Sequence, residues 1–269
     1  TNLYVNSGGT LDVYSWGWYG NLGGLRFDPP NLVINGGTVR YSGPTGGDWR
    51  SFTVGSLGAT FDSPTAGVTW SLTTSAQAPV ISGNLTFTGA GNIAMNQNLT
   101  GSGYNIIKNS TGTLTLGGTN TYTGDTFINT GTLIVEHNAP TFTTNSYSGV
   151  GSLVVQPSGT TFTSPVVFDK TISGLADLTI GKTTNTGNVS ALYALSVVGG
   201  ARFYGGNLYL GSDLTSTSGG NLLLQGTGDV TMVGNVSTTG TFTATAGAAN
   251  SLVMGMNYST GLGATITAD

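Results

Sequence analysis

The sequence predicts an all-β protein: a right-handed parallel β-helix (β-solenoid) of roughly 10–12 rungs with no substantial α-helix. Three observations predict it. Short apolar/polar alternations, the pattern of a strand with one buried face, recur between glycine- and asparagine-rich turns. The chain holds 45 glycines and 45 threonines, and only 7% of its residues are charged, against about 25% in an average globular domain. No window of about 11 residues places apolar side chains at i, i+3, i+4 and i+7 without glycines or β-branched clusters.

The strand starts can be followed down the chain. GGTL occurs at residues 8–11, GGTV at 36–39, GATF at 58–61, GNLTF at 83–87, GTL at 112–114 and 131–133, and GSLVV at 151–155. Their spacing of about 19 to 29 residues fits rungs whose loops vary in length. Beyond Pro157 the rhythm loosens, yet LTI at 178–180, ARFYGGNLYL at 201–210, NLLLQ at 221–225, DVTMVG at 229–234 and GTFTATA at 240–246 still read as short strands. The stretch SALYALSVV at 190–198 reads as a buried strand rather than a helical turn, because Gly187 and Gly199-Gly200 flank it closely. The expected organisation is a single β-solenoid over 1–269, with aromatic-rich rungs at 1–70, a repeat at 105–136 and less regular rungs at 158–269. Prolines mark soft breaks near residues 137–140 and at Pro157.

The most informative segment is 107–135, IKNSTGTLTLGGTNTYTGDTFINTGTLIV. Its two GTL triplets lie 19 residues apart, each opening an alternating run. The segment resembles the autotransporter-associated β-strand repeat. The residues that carry the likeness are Lys108, Gly112, Thr113, Leu114, Leu116, Gly118, Asn120, Thr121, Tyr122, Thr123, Gly124, Thr126, Ile128, Gly131, Thr132 and Leu133. Asn109-Ser110-Thr111 and Asp125 depart from the pattern, which has glycine more often there. Looser similarity to the segments that precede this repeat in passenger regions runs through 35–43, 50–52 and 58–63. GGNLYL and GGNLLL are similar to filamentous-haemagglutinin-type solenoids. The resemblance implies a bacterial autotransporter passenger or large adhesin-like β-solenoid, secreted or held at the cell surface. It would be non-enzymatic, would need no cofactor, and would act as a stalk, an adhesin or a filament-forming segment.

Composition narrows the alternatives. Net charge is −4 and the seven basic residues are scattered, whereas a nucleic-acid partner calls for clustered Lys and Arg. The absence of cysteine rules out disulfides and thiolate metal sites. No apolar run is long enough for a membrane-spanning helix, so direct membrane insertion is not expected. The chain opens TNLYV, without a signal-peptide pattern, and closes ITAD, unlike the last strand of an outer-membrane barrel. It reads as a piece of a longer protein.

No residue reads as catalytic, cofactor-binding or metal-ligating. The rival class is a β-helix polysaccharide lyase or glycoside hydrolase, which needs several acids converging from neighbouring rungs. The acids here are scattered through turn-like contexts, where Asp is expected to bond its own local backbone. His137, the only histidine, reads as a loop residue, and no G-x-S-x-G elbow or G-G-x-G-x-D calcium repeat is present. The one candidate contact patch is Tyr14, Trp16 and Trp18, whose alternation places them on one face of a strand. They would meet a host or cell-surface glycan or protein, or else fill wide rungs or cap an edge. Open terminal strands are expected to let copies associate end to end.

Overall fold

A computed structural model of the chain describes residues 2–15, 32–48, 50–73, 77–255 and 257–268. Among these residues every regular element is a β-strand, and all are short, none longer than five residues. The strands stack in parallel as a β-solenoid of about 10 turns in all. The chain divides into two compact units, Thr1–Ile134 with Thr143–Asn145, and Val135–Phe142 with Ser146–Asp269.

In the first unit one sheet holds Leu3–Asn6, Leu32–Asn35, Thr53–Val54 and Val80–Ile81. A second holds Thr10–Val13, Thr38–Tyr41, Ala59–Asp62, Leu85–Thr88, Ile106–Lys108 and Thr126–Ile128. A third holds Gly46–Asp48, Thr69–Leu72, Asn92–Met95 and Thr113–Leu116. Register in the second sheet is continuous. Leu11, Val39, Phe61, Phe87, Lys108 and Ile128 follow one another as direct partners on the inward side. Thr10, Thr38, Thr60 and Thr86 form the matching outward column. Alternation along each strand produces both columns at once, because successive side chains leave opposite faces.

Aromatic rings widen the core of the early turns. Trp70 is fully buried; it stacks on Tyr41 with centroids 5.3 Å apart and lies 5.8 Å from Phe61. Phe61 stacks in turn on Phe87 at 5.7 Å. Trp16, Trp18 and Trp49 lie outside the described residues.

In the second unit, from Val189 onward, each turn carries three strands in the same order. One sheet runs Val166–Phe168, Val189–Ala191, Leu208–Leu210, Val230–Met232 and Leu252–Met254. The next holds Leu195–Val197, Leu214–Ser216, Val236–Thr238 and Tyr258–Thr260. The third includes Leu178–Ile180, Ala201–Gly205, Leu222–Gly226, Phe242–Ala246 and Ala264–Ala268. The stretch 190–198 therefore differs from the single strand expected. It is two strands joined by an exposed corner at Leu192, Tyr193 and Ala194, which lets both Ala191 and Leu195 point into the core.

Asparagine and aspartate side chains tie turn to turn. The Asn207 N–H donates to Asn188 Oδ1 at 2.9 Å, the Asp229 N–H to Asn207 Oδ1 at 2.9 Å, and the Ser251 N–H to Asp229 Oδ1 at 2.7 Å. A second column joins Asp213 to Asn235 and Asn235 to Asn257, and Asn84, Asn105 and Asp125 repeat the device in the first unit. Each acceptor in the Asn188 and Asp213 columns immediately precedes its strand, so it captures a donor before the backbone ladder begins. Asp177, Asp213 and Asp229 thus do not bond their own local backbone, as the turn contexts led us to expect. Each accepts from an N–H 22 or 23 residues further on.

Two substitutions separate the contributions of ladder and core. Asn207→Ala removes one exposed rung-to-rung bond and should cost about 1 kcal/mol. Leu133, fully buried like Leu114, should lose about 2–5 kcal/mol on replacement by alanine. Chemical denaturation of the two variants checks the difference; equal losses would mean that the core does not close around Leu133.

Candidate functional site

The repeat at 106–135 is organised around a buried lysine. Strand Ile106–Lys108 has Ile106 and Lys108 on its inward side, and both are fully buried. Lys108 therefore occupies a core position, paired with Phe87 on one side and Ile128 on the other. Its ammonium turns to the corner that follows. There Nζ donates to the Ser110 carbonyl at 2.6 Å, Ser110 Oγ at 3.0 Å, the Gly112 carbonyl at 2.7 Å and the Thr130 carbonyl at 2.8 Å. All four acceptors are neutral. Burial pulls the Lys108 pKa from 10.5 down to about 8, so the group remains a cation at neutral pH. It pins together two successive turns through the backbone oxygens of this corner.

Gly131 makes room for this cage, and Gly112 for the close approach of the turn before it. A Cβ at Gly112 would lie 2.2 Å from the Gly91 carbonyl oxygen. Gly131 has φ of +65°, and a Cβ there would lie 2.5 Å from the Gly112 oxygen and 2.7 Å from Lys108 Nζ. Lysine and both glycines are thus one structural device, with turns close enough for a single ammonium to reach both.

The NTYTG segment builds another corner of the repeat. Tyr122 stacks on Tyr104 at 5.8 Å. The Tyr122 hydroxyl and Thr126 Oγ1 are 2.7 Å apart, Thr126 and Thr144 hydroxyls 2.9 Å apart, and Thr144 donates onward to the Gly124 carbonyl at 2.7 Å. Burial pushes the Tyr122 pKa up to about 12. Tyr104 is raised too, by burial first and then by Tyr122.

The described carboxylates serve mainly as ties. Asp62 accepts from Arg40 Nε at 2.7 Å and from Thr88 Oγ1 at 3.0 Å, linking three turns. Ser42 donates to Asp12, Gln156 to Glu136, and Lys170 pairs with Asp169. His137 Nδ1 accepts from the Ala139 N–H at 3.1 Å. Among the described residues no three His, Cys, Asp or Glu side chains group closely enough for a metal ion. No described helix is long and apolar enough to cross a membrane. Tyr14 is exposed, one residue beyond strand Thr10–Val13, while Trp16 and Trp18 lie outside the described residues. The sequence reading missed Lys108 as an inward residue. The signal was present: in Ile106-Ile107-Lys108, alternation places the lysine on the face of Ile106.

Comparison with known proteins agrees with this geometry. The family model of the passenger-associated transport repeat matches residues 106–135, the segment that encloses the Lys108 cage. The chain is 35% identical over 126 residues to the adhesin BmaC autotransporter of Brucella suis biovar 1 (strain 1330), covering 46% of this chain and 3% of the adhesin. No solved structure matches. With the repeat and the adhesin together, the chain carries an autotransporter-passenger β-repeat.

The buried groups give stability a defined pH profile. The folded chain releases the Lys108 proton near pH 8, whereas the unfolded chain holds it to about 10.4. Between these values the unfolded state binds more protons, so stability should rise with pH, by on the order of 3 kcal/mol. The tyrosines act oppositely. Their raised folded pKa values make stability fall once the unfolded chain ionises above about pH 10. Urea midpoints across pH 7–12 should therefore peak near pH 10, and Lys108→Met should abolish the rising limb. At pH 7 the same variant should lose about 2–4 kcal/mol, since leaving the Ser110 and Thr130 carbonyls without this donor outweighs the relief of burying a methionine instead of a cation.

Proposed function

We propose that this chain is a non-enzymatic section of a surface-displayed or secreted bacterial β-solenoid, serving as the stiff, adhesive part of an autotransporter-like passenger. The observation that carries the reading is the repeat at 106–135, set among parallel ladders. Lys108 and the side-chain columns hold successive turns in register, and the outward positions remain free for display. The non-enzymatic reading is supported by the carboxylates, which are occupied in joining turns. The partner is a host or cell-surface glycan or protein, with Tyr14, Trp16 and Trp18 as the contact patch, because aromatic rings offer large contact area at low entropic cost. Parallel ladders also present strand N–H and C=O groups along the stacking direction, and we assign to these an end-to-end association of copies.

Fusing the chain to a surface-display barrel tests the reading. Bacteria displaying it should bind cultured host cells or immobilised matrix several-fold above a display control, with surface density matched by antibody. A Tyr14→Ser/Trp16→Ser/Trp18→Ser variant should bind less at equal display. Binding no better than the control, or release of reducing ends from an acidic polysaccharide, would overturn the proposal.

A further inference from the structure

We propose that the outward face of the second-unit sheet that begins at Val166–Phe168 is a lateral contact between two copies of this chain, a surface distinct from the aromatic patch and from the strand edges. Its five strands align one outward column in register: Val167, Ser190, Tyr209, Thr231 and Val253. Val167 is 46% exposed, Tyr209 41% and Val253 52%. The corner after the sheet adds exposed Leu192, Tyr193 and Val233. The neighbouring sheet, built by the same turns, provides an internal control. Its outward column is Ser196, Thr215, Ser237 and Ser259, all hydroxyls. Composition therefore does not account for the apolar face, and exposed apolar groups gathered in one patch mark a contact.

Two features point to a second copy as the occupant. The first is charge. The chain carries −4, so its copies repel at long range, and a face whose strands carry no charge is one where they can approach. None of the five strands contains a charged residue. At its margins Asp169 pairs with Lys170, and the Asp213 and Asp229 carboxylates accept from the backbone N–H groups of Asn235 and Ser251. The second is shape. The column alternates large and small, with strands about 4.8 Å apart. An antiparallel copy shifted by one turn places Val167 and Tyr209 over small side chains, with Val253 beyond the end of the paired column. Val167 then sits over Thr231 of the second copy, and Tyr209 over its Ser190. A two-fold axis makes every such contact twice, and identical periodic faces interdigitate without gaps. A partner lacking this period would leave the hollows over Ser190 and Thr231 unfilled.

Sedimentation equilibrium of the full chain at rising concentration tests the contact. A monomer–dimer equilibrium is expected. Val167→Lys/Tyr209→Lys should raise its dissociation constant more than about 10-fold, since the introduced charges then lie within one strand spacing of one another across the contact. Ser196→Lys/Ser237→Lys, on the adjoining sheet, should leave it unchanged. All four sites point to solvent, and circular dichroism confirms that each variant retains its β structure. A species that stays monomeric at every concentration overturns the proposal. So does association that is as tight in Val167→Lys/Tyr209→Lys as in the unsubstituted chain, which would place the contact at the strand edges. Binding of a neutral polysaccharide by this face of a monomeric chain would overturn it as well.

Discussion

Register between successive turns is the constraint on which the rest of this structure depends. A parallel strand slipped by one residue turns every inward side chain outward, and short strands hold too few backbone bonds to resist a slip alone. The asparagine and aspartate columns meet this need at the point of entry to each strand. Asn188, Asn207 and Asp229 each fix the first donor of the next turn, so the backbone ladder starts in phase. Once the phase is set, alternation does the remainder: Val, Leu and Phe line the core, and Thr and Ser line the outside.

Lys108 is where this economy is broken and mended. A cation in a column between Phe87 and Ile128 is costly to bury. It persists because the corner beside it gathers backbone carbonyls from two turns that need donors. Gly131 matters for the same reason, since a side chain there would push into Lys108 and the Gly112 carbonyl, and one at Gly112 would collide with Gly91 of the turn before. The conspicuous sequence repeat is thus the trace of one local solution, in which lysine, glycine corners and a tyrosine–threonine network fix the spacing of neighbouring turns.

Much of this was legible beforehand, and what was not has definite causes. The strand starts at 8, 36, 58 and 83 belong to the second sheet of the first unit, but those at 112 and 131 belong to the third. A single linear list therefore mixed two faces and made the period look looser than it is. Past Pro157 three strands per turn produced the same effect. The corner at Leu192–Tyr193–Ala194 was hidden because its residues are apolar, like the strands on either side. Asp177, Asp213 and Asp229 were misread because a local turn bond and a bond to the next turn call for the same residue type; only the fold distinguishes them. Lys108 was legible in principle from the alternation, yet composition argues against lysine in a core until its four oxygen partners are seen. Of the aromatic pattern at 14–18, Tyr14 is exposed, while Trp16 and Trp18 lie outside the described residues.

The side-chain columns also govern how such a chain can change over generations. Each Asn or Asp addresses only the turn that follows, and each inward residue meets only its neighbours above and below. Duplication or loss of a stretch running from one such asparagine to the next leaves both flanking partners with an equivalent group to bind. Gene rearrangements in units of one whole turn are therefore structurally silent, while a frame-preserving insertion of a single residue inside a strand is not. Length becomes a freely varied trait, and the genome can lengthen or shorten the protein without redesigning any part of it.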